Sequence, residues 1–197
     1  ANTTKVTTFQ DTFYYCYGLT SIPSDLFANT TEVTTFQATF SNCSGLTSIP
    51  NNLFANTTKV TSFYETFNRC RGLTGGIPEG LFSNTTEVLT FQRTFNQCSK
   101  LNGSIPATLF SNTKKVTSFR ETFAECSEIK GPLSPTLFDG LTEVTQYYRT
   151  FYFCHNLEGQ LSGELFKDSP KVTLFESVFD NCYKLTGTIP EDIFGYS

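Results

Sequence analysis

Seven cysteines stand at nearly equal intervals: Cys16, Cys43, Cys70, Cys98, Cys126, Cys154 and Cys182, separated by 27, 27, 28, 28, 28 and 28 residues. The residues between them recur with the same period, which makes the chain an internal repeat. The unit reads A-N-T-T-x-V-T-x-F-x-x-T-F-x-x-C-x-x-L-T-x-x-I-P-x-x-L-F, with copies over 1–27, 28–54, 55–82, 83–110, 111–138, 139–166 and 167–194 of the 197 residues. So short a unit cannot bury a core alone and must stack on its neighbours. The expected architecture is one solenoid domain over 1–197. A whole number of units, with no capping segment, initiator Met or leader, reads as an excerpt of a longer chain.

The apolar columns do not turn polar from one unit to the next. Val6, Val33, Val60, Val88, Val116, Val144 and Val172 form one, and Leu19, Leu46, Leu73, Leu101, Ile129, Leu157 and Leu185 another. Three more begin at Phe9, Phe13 and Phe27 and hold 20 of the 21 phenylalanines, with Tyr147 the one substitution and Phe153 the outlier.

Within a unit the apolar spacings run 3, 4, 3, 3, 3, 4, which by period alone suits a helix. Pro23, Pro50, Pro78, Pro106 and Pro190, with the crowding of Val and Thr, argue against one long helix. The reading is an α+β repeat solenoid of seven repeats. Short parallel strands are expected at V-T-x-F and L-T-x-I, a single helical turn around T-F-x-x-C, and a bend at P-x-x-L-F. From the third unit one residue is inserted before I-P, marked by Gly75, Gly103, Gly131, Gly159 and Gly187. That column suits a bulge needing positive φ or a close backbone approach.

Charge gives independent evidence of stacking. The residue before the Val column reads Lys5, Glu32, Lys59, Glu87, Lys115, Glu143, Lys171, alternating in sign throughout. Stacked about 4.8 Å apart, opposite charges would fix register. Glu65, Arg93, Glu121 and Arg149 repeat the logic in a second column. An ion-binding strip is the functional alternative to such a solvated ladder. The net charge of −4 leaves little drive for nucleic-acid binding. No apolar run is long enough to span a bilayer.

The cysteine ladder reads as buried, reduced core packing. Seven is odd, and a single file presents too few ligands for zinc. His155 beside Cys154 invites a Cys–His dyad, but its column also holds Tyr17, Ser44, Arg71, Ser99, Ser127 and Tyr183, a variable surface position. No catalytic fingerprint, cofactor motif or metal set appears, and no enzyme activity is expected.

Asn2, Asn29, Asn56, Asn84, Asn42 and Asn102 lie in N-x-S/T sequences and would accept glycans in a eukaryotic secreted protein. Turn chemistry is the alternative, since the N-T-T column later holds Asn112, Gly140 and Asp168. Tyr14, Tyr15, Tyr64, Tyr147, Tyr148 and Tyr152 are candidate binding aromatics, able to stack on sugars, anchor a protein or cap the Phe layer. An ice-binding Thr array is interrupted by Leu89, Gln146 and Leu174.

V-T-x-F-x-x-T-F-x-x-C-x-x-L-T-x-I-P resembles the BspA-like leucine-rich repeats of bacterial surface proteins and lipoproteins, with Phe where that family carries Met. The L-T-G-x-I-P-x-x-L-F segments, as at Leu185 to Phe194, are similar in part to plant-type leucine-rich repeats, whose L-x-x-L-x-L-x-x-N core is missing. The resemblance implies a right-handed solenoid displayed on the cell surface or outside the cell, used for adhesion or protein binding, with no catalytic residues. The partner expected is an extracellular protein or glycan. The structural alternative is a homo-oligomeric fibre built end to end, against which stands the meeting of Lys171 with Lys5. A carbohydrate- or ice-binding solenoid is the lesser alternative.

Overall fold

The computed structural model describes residues 3–194, so Asn2 lies outside the described residues. The chain is a repeat solenoid held by contacts between coils. Parallel bridges join Thr8 to Thr35, Thr35 to Ser62, Ser62 to Thr90, Thr90 to Ser118, Ser118 to Gln146 and Gln146 to Leu174. Each rung is the residue before the first Phe of V-T-x-F, where β-branched side chains favour extended backbone. Longer strands occur only late: β1 (Glu158–Gln160) pairs in parallel with β2 (Lys184–Thr186), Gly159 facing Leu185. Between them lies one 3-10 turn, Gly163–Phe166, capped by the Ser162 hydroxyl, which accepts from Glu164 N at 3.2 Å.

The T-F-x-x-C segment, expected to be a helical turn, is not helical. Among the described residues fourteen non-glycine residues have positive φ, and they fall in two columns. One runs Asp11, Ala38, Glu65, Arg93, Glu121, Arg149, Ser177; the other is the residue before each cysteine, from Tyr15 to Asn181. A helix would return each amide to its own coil. Here alternate amides climb the stack: Phe63, Glu65, Phe67 and Arg69 donate to the carbonyls of Thr90, Gln92, Thr94 and Asn96 at 2.7–3.2 Å. The amides between them close local turns, Thr66 N to Phe63 O and Cys70 N to Phe67 O at 3.1 Å. A positive φ at the third residue is what type II turns require.

The interior is three files of stacked rings. Phe63 lies 5.7 Å from Phe91, Phe67 5.8 Å from Phe95, and Phe54 6.2 Å from Phe82, each pair nearly parallel. Tilted contacts of 4.6–4.8 Å knit the first file to the third, as Phe82 does with Phe63 and Phe91. Both geometries lie in the favoured range for aromatic pairs. Buried threonines serve the carbonyls that the ladder leaves over. Thr94 Oγ1 lies 2.8 Å from Phe91 O and 2.9 Å from Phe63 O, and Thr122 and Thr150 repeat the arrangement.

Tyr147 is not a binding aromatic. It is fully buried, stacked between Phe119 and Phe175 at 5.7 and 5.6 Å. Its hydroxyl lies 2.8 Å from Ser169 Oγ, in a column that holds Thr30, Thr57, Thr85, Thr113 and Leu141 in earlier coils. Burial raises its phenol pKa.

Candidate functional site

The two positive-φ columns line a polar trough. Most of their side chains there reach solvent, Arg69 and Glu125 fully and Glu65, Arg93, Gln97 and Arg149 in part, while Asn42 and Glu121 are buried. Glu65, Arg93, Glu121 and Arg149 form one ridge; Asn42, Arg69, Gln97 and Glu125 form the other. Asn68, Asn96 and Ala124 are the buried floor, and Tyr14 and Tyr152 stand at the two ends. The result is an open polar trough of about 320 Å³. It runs across six coils, about 24 Å at about 4.8 Å per coil.

Its walls are pre-arranged. Arg93 bridges neighbouring coils, 3.2 Å from Glu65 and 2.5 Å from Glu121. The hydrogen bond that Arg93 donates to Glu121 holds the Arg93 pKa above its ordinary value. Arg149 lies over the rings of Tyr152 and Tyr148 at 4.8 and 5.1 Å, and Arg120 over Tyr148 at 4.2 Å. On the opposite ridge Arg71 donates to Gln97 at 2.7 Å, and Gln97 to Glu125 at 3.2 Å. Along the floor Asn96 Nδ2 donates to Asn68 Oδ1 at 3.1 Å and Asn68 Nδ2 to Ser41 Oγ at 3.4 Å, which ties the floor amides together across coils.

Of the remaining tyrosines, Tyr14 and Tyr15 are 43 % exposed and pack edge to face at 4.4 Å. Tyr64 and Tyr148 lie outside the Glu65–Arg149 ridge, partly buried. The sequence reading missed Asn68, Asn96, Arg69, Gln97, Glu125 and Tyr17. Part of their signal was available: the two residues before Cys43, Cys70 and Cys98 are polar while their neighbours are Phe and Cys, with Ala124 the break in the pattern.

The other ladders lie elsewhere. The Lys/Glu column is not a continuous strip but three pairs, Lys59–Glu32 at 2.7 Å and Lys115–Glu87 and Lys171–Glu143 at 2.6 Å. Each lysine reaches only to the coil before it. Cys43 through Cys182 are buried and free, while Cys16 is partly exposed. The thiols of Cys43, Cys70, Cys98, Cys126, Cys154 and Cys182 donate to Phe13, Phe40, Phe67, Phe95, Phe123 and Phe151 carbonyls at 3.0–3.1 Å. Burial pushes Cys43 up to about 11 and Cys126 and Cys182 up to about 12. Cys154 therefore faces a carbonyl, while His155 stacks on Tyr183 at 5.0 Å.

Asn42 is excluded as a glycan acceptor, being 8 % exposed with Nδ2 donating to Ser41 Oγ at 3.1 Å. Asn56 and Asn84 are exposed but give their amides to Ala28 O and Ala55 O at 2.8 and 2.9 Å, as Asn112 does to Ser83 O. Asn102 accepts from Gly75 N at 2.9 Å, and Asn29 is exposed. Among the described residues no three His, Cys, Asp or Glu side chains converge as metal ligands, and no helix is long and apolar enough to cross a membrane.

Apolar columns turned inward and polar columns outward define a repeat solenoid. The chain belongs to the family described as Mycoplasma protein of unknown function, DUF285, whose profile matches residues 1–107, 54–163 and 81–191. Among solved structures it is similar to the APL1 leucine-rich repeat domain (13 % identity, 73 % of this chain and 36 % of that one, TM-score 0.46). It is also similar to the LRIM1/APL1C complex (15 %, 72 % and 26 %, 0.46) and the Drosophila Toll–Spatzle complex (14 %, 87 % and 33 %, 0.30). The chain thus spans about a third or less of the structures it resembles. Among curated proteins nothing matches.

Proposed function

We propose that this chain is a non-enzymatic binding scaffold of the BspA-like kind, displayed outside the cell, whose ligand lies along the polar trough. The trough is the observation that carries the reading. It is long, open and polar, and its side chains are fixed by contacts between coils, so a ligand would meet a preformed surface and the ordering cost of binding would be small. The same reading takes 1–197 as a single stack of seven windings.

Ala124→Tyr tests it. The same column holds Tyr14 and Tyr152, and a tyrosine at Ala124 would fill the trough beside its Tyr152 end. Saturable binding of the fluorescently labelled chain to cultured animal cells, lost in Ala124→Tyr at unchanged melting temperature, is the expected result. Absence of saturable binding, or a variant that binds like the parent chain, overturns it.

End-to-end assembly is a second reading, favoured by the 80 % exposure of Ile189 and 61 % of Phe194 beside an apolar hollow. Light scattering that shows one size at all concentrations would remove it.

A further inference from the structure

Beside the Tyr14 end of the trough, across the wall formed by Asn42 and Arg69, lies a second hollow of about 270 Å³, lined by Tyr15, Tyr17, Asn42, Ser44, Arg69 and Arg71. Asn42 and Arg69 belong to both. The two differ in charge. In the trough Arg69, Arg93 and Arg149 are matched by Glu65, Glu121 and Glu125, whereas the second hollow has two arginines and no carboxylate. Arg69 forms no ion pair among the described residues, and Arg71 spends one nitrogen on Gln97. Such a place is unusual on a chain of net charge −4. Beside the arginines, Tyr15 and Tyr17 meet edge to face at 5.5 Å, 43 % and 57 % exposed, each offering ring surface to solvent.

We infer that the hollow binds the carboxylate-bearing sugar of an acidic oligosaccharide whose remaining sugars extend along the trough. This rests on the trough being the ligand surface. A guanidinium pairs with a carboxylate in two parallel hydrogen bonds, and Arg69 and Arg71 are the cations free to do so. A tyrosine face takes the apolar C–H face of a sugar ring while its hydroxyl stays wet. Along the trough, amides that both donate and accept match sugar hydroxyls, which do the same. A peptide partner is the weaker fit, because protein contacts concentrate their energy in well-packed, fully desolvated pockets, and this surface is open and polar. The trough has no aliphatic lining larger than Ala124.

The experiment titrates the 197-residue chain by calorimetry with a hexasaccharide of alternating glucuronic acid and N-acetylglucosamine. The comparisons are its carboxyl-reduced form, a sulfated heparin hexasaccharide and hexaglutamate. The carboxylated sugar is expected to bind at least about tenfold more tightly than each of the three. Arg69→Gln and Tyr17→Ala, both at exposed positions, are each expected to weaken it about tenfold without moving the melting temperature. Equal binding of the carboxyl-reduced sugar, or no effect of either substitution, overturns the assignment. So does equal or tighter binding of the sulfated sugar or of hexaglutamate, which would make the anion a sulfate or the partner an acidic protein. If Ala124→Tyr abolishes cell binding while no oligosaccharide binds, the sugar assignment falls and the trough reading stands.

Discussion

The coil carrying Cys98 and the coil carrying Cys182 have nearly the same motif and different fates. In the first, Phe91, Phe95, Cys98 and Phe110 are wholly buried. In the second, Phe175 and Phe179 are only partly buried, Cys182 is 8 % exposed and Phe194 61 %. Val178 there takes the place of the threonine that in the inner coil serves two carbonyls. Burial in this molecule is therefore a property of having a neighbour on both sides, not of the side chain itself. Nearest-neighbour stabilisation is the thermodynamic signature of a solenoid.

High pH should expose that difference most strongly. Burial raises Cys70, Cys98, Cys126 and Cys154 above the ordinary thiol value of 9, and Cys16 is only partly buried. A thiol whose folded pKa is raised leaves stability intact below the unfolded value. Above it the unfolded chain releases protons first, so stability falls with rising pH, by about 1.4 kcal/mol per unit per thiol. Several thiols acting together exceed a total stability of about 5–15 kcal/mol. Circular dichroism should show cooperative unfolding between about pH 10 and pH 12, and thiol labelling at neutral pH should reach Cys16 well before Cys98. A chain still folded at pH 12 would contradict this account.

Truncating matched rings sharpens the contrast. Phe95→Ala removes a ring packed against Phe67 and Phe123 and is expected to cost about 3–5 kcal/mol. Phe179→Ala, in the partly exposed coil, should cost less than half of that in urea unfolding. Equal losses would mean that coils bury their cores independently.

Glycines that differ only in having a coil beneath them come next. A Cβ on Gly45 would lie 2.7 Å from Leu19 O of the preceding coil, whereas one on Gly18 would meet nothing within 4 Å. Forcing backbone apart costs about 1–3 kcal/mol, so Gly45→Ala should lower the melting temperature by several degrees. Gly18→Ala should leave it unchanged or raise it, because alanine restricts the unfolded chain. Equal melting temperatures would show that the coils have slack between them.

Much of this was legible in sequence. The Val, Leu, Phe and Cys columns lie in the interior, because a repeat that keeps a position apolar through every unit has one place to put it. The turn around each cysteine was not legible. Residues such as Glu65, Arg69, Glu121 and Arg149 carry no mark of left-handed backbone, which costs a non-glycine residue about 1–2 kcal/mol. Bonds to the next coil impose that conformation, and a single unit read alone does not contain them. The trough was hidden for the same reason. Its ridges are those same positive-φ columns, so the polar positions looked like ordinary surface. The thiol–carbonyl bonds were hidden too, since spacing places a sulfur in the core without naming its partner.

The smallest expected effect tests whether surface charge contributes to the difference between inner and outer coils. Lys59 lies 2.7 Å from Glu32, with the two side chains 55 % and 46 % exposed, while Lys5 forms no ion pair among the described residues. Exposed pairs contribute about 0.2–1 kcal/mol, so Lys59→Gln should lower stability by that much and Lys5→Gln by nothing measurable. Salt at about 1 M shortens the screening length to about 3 Å and should erase the difference. If the Lys59→Gln loss survives high salt, the lysine acts through the packing of its aliphatic stem across the coil joint, and the alternation of sign would then be incidental to how the windings keep register.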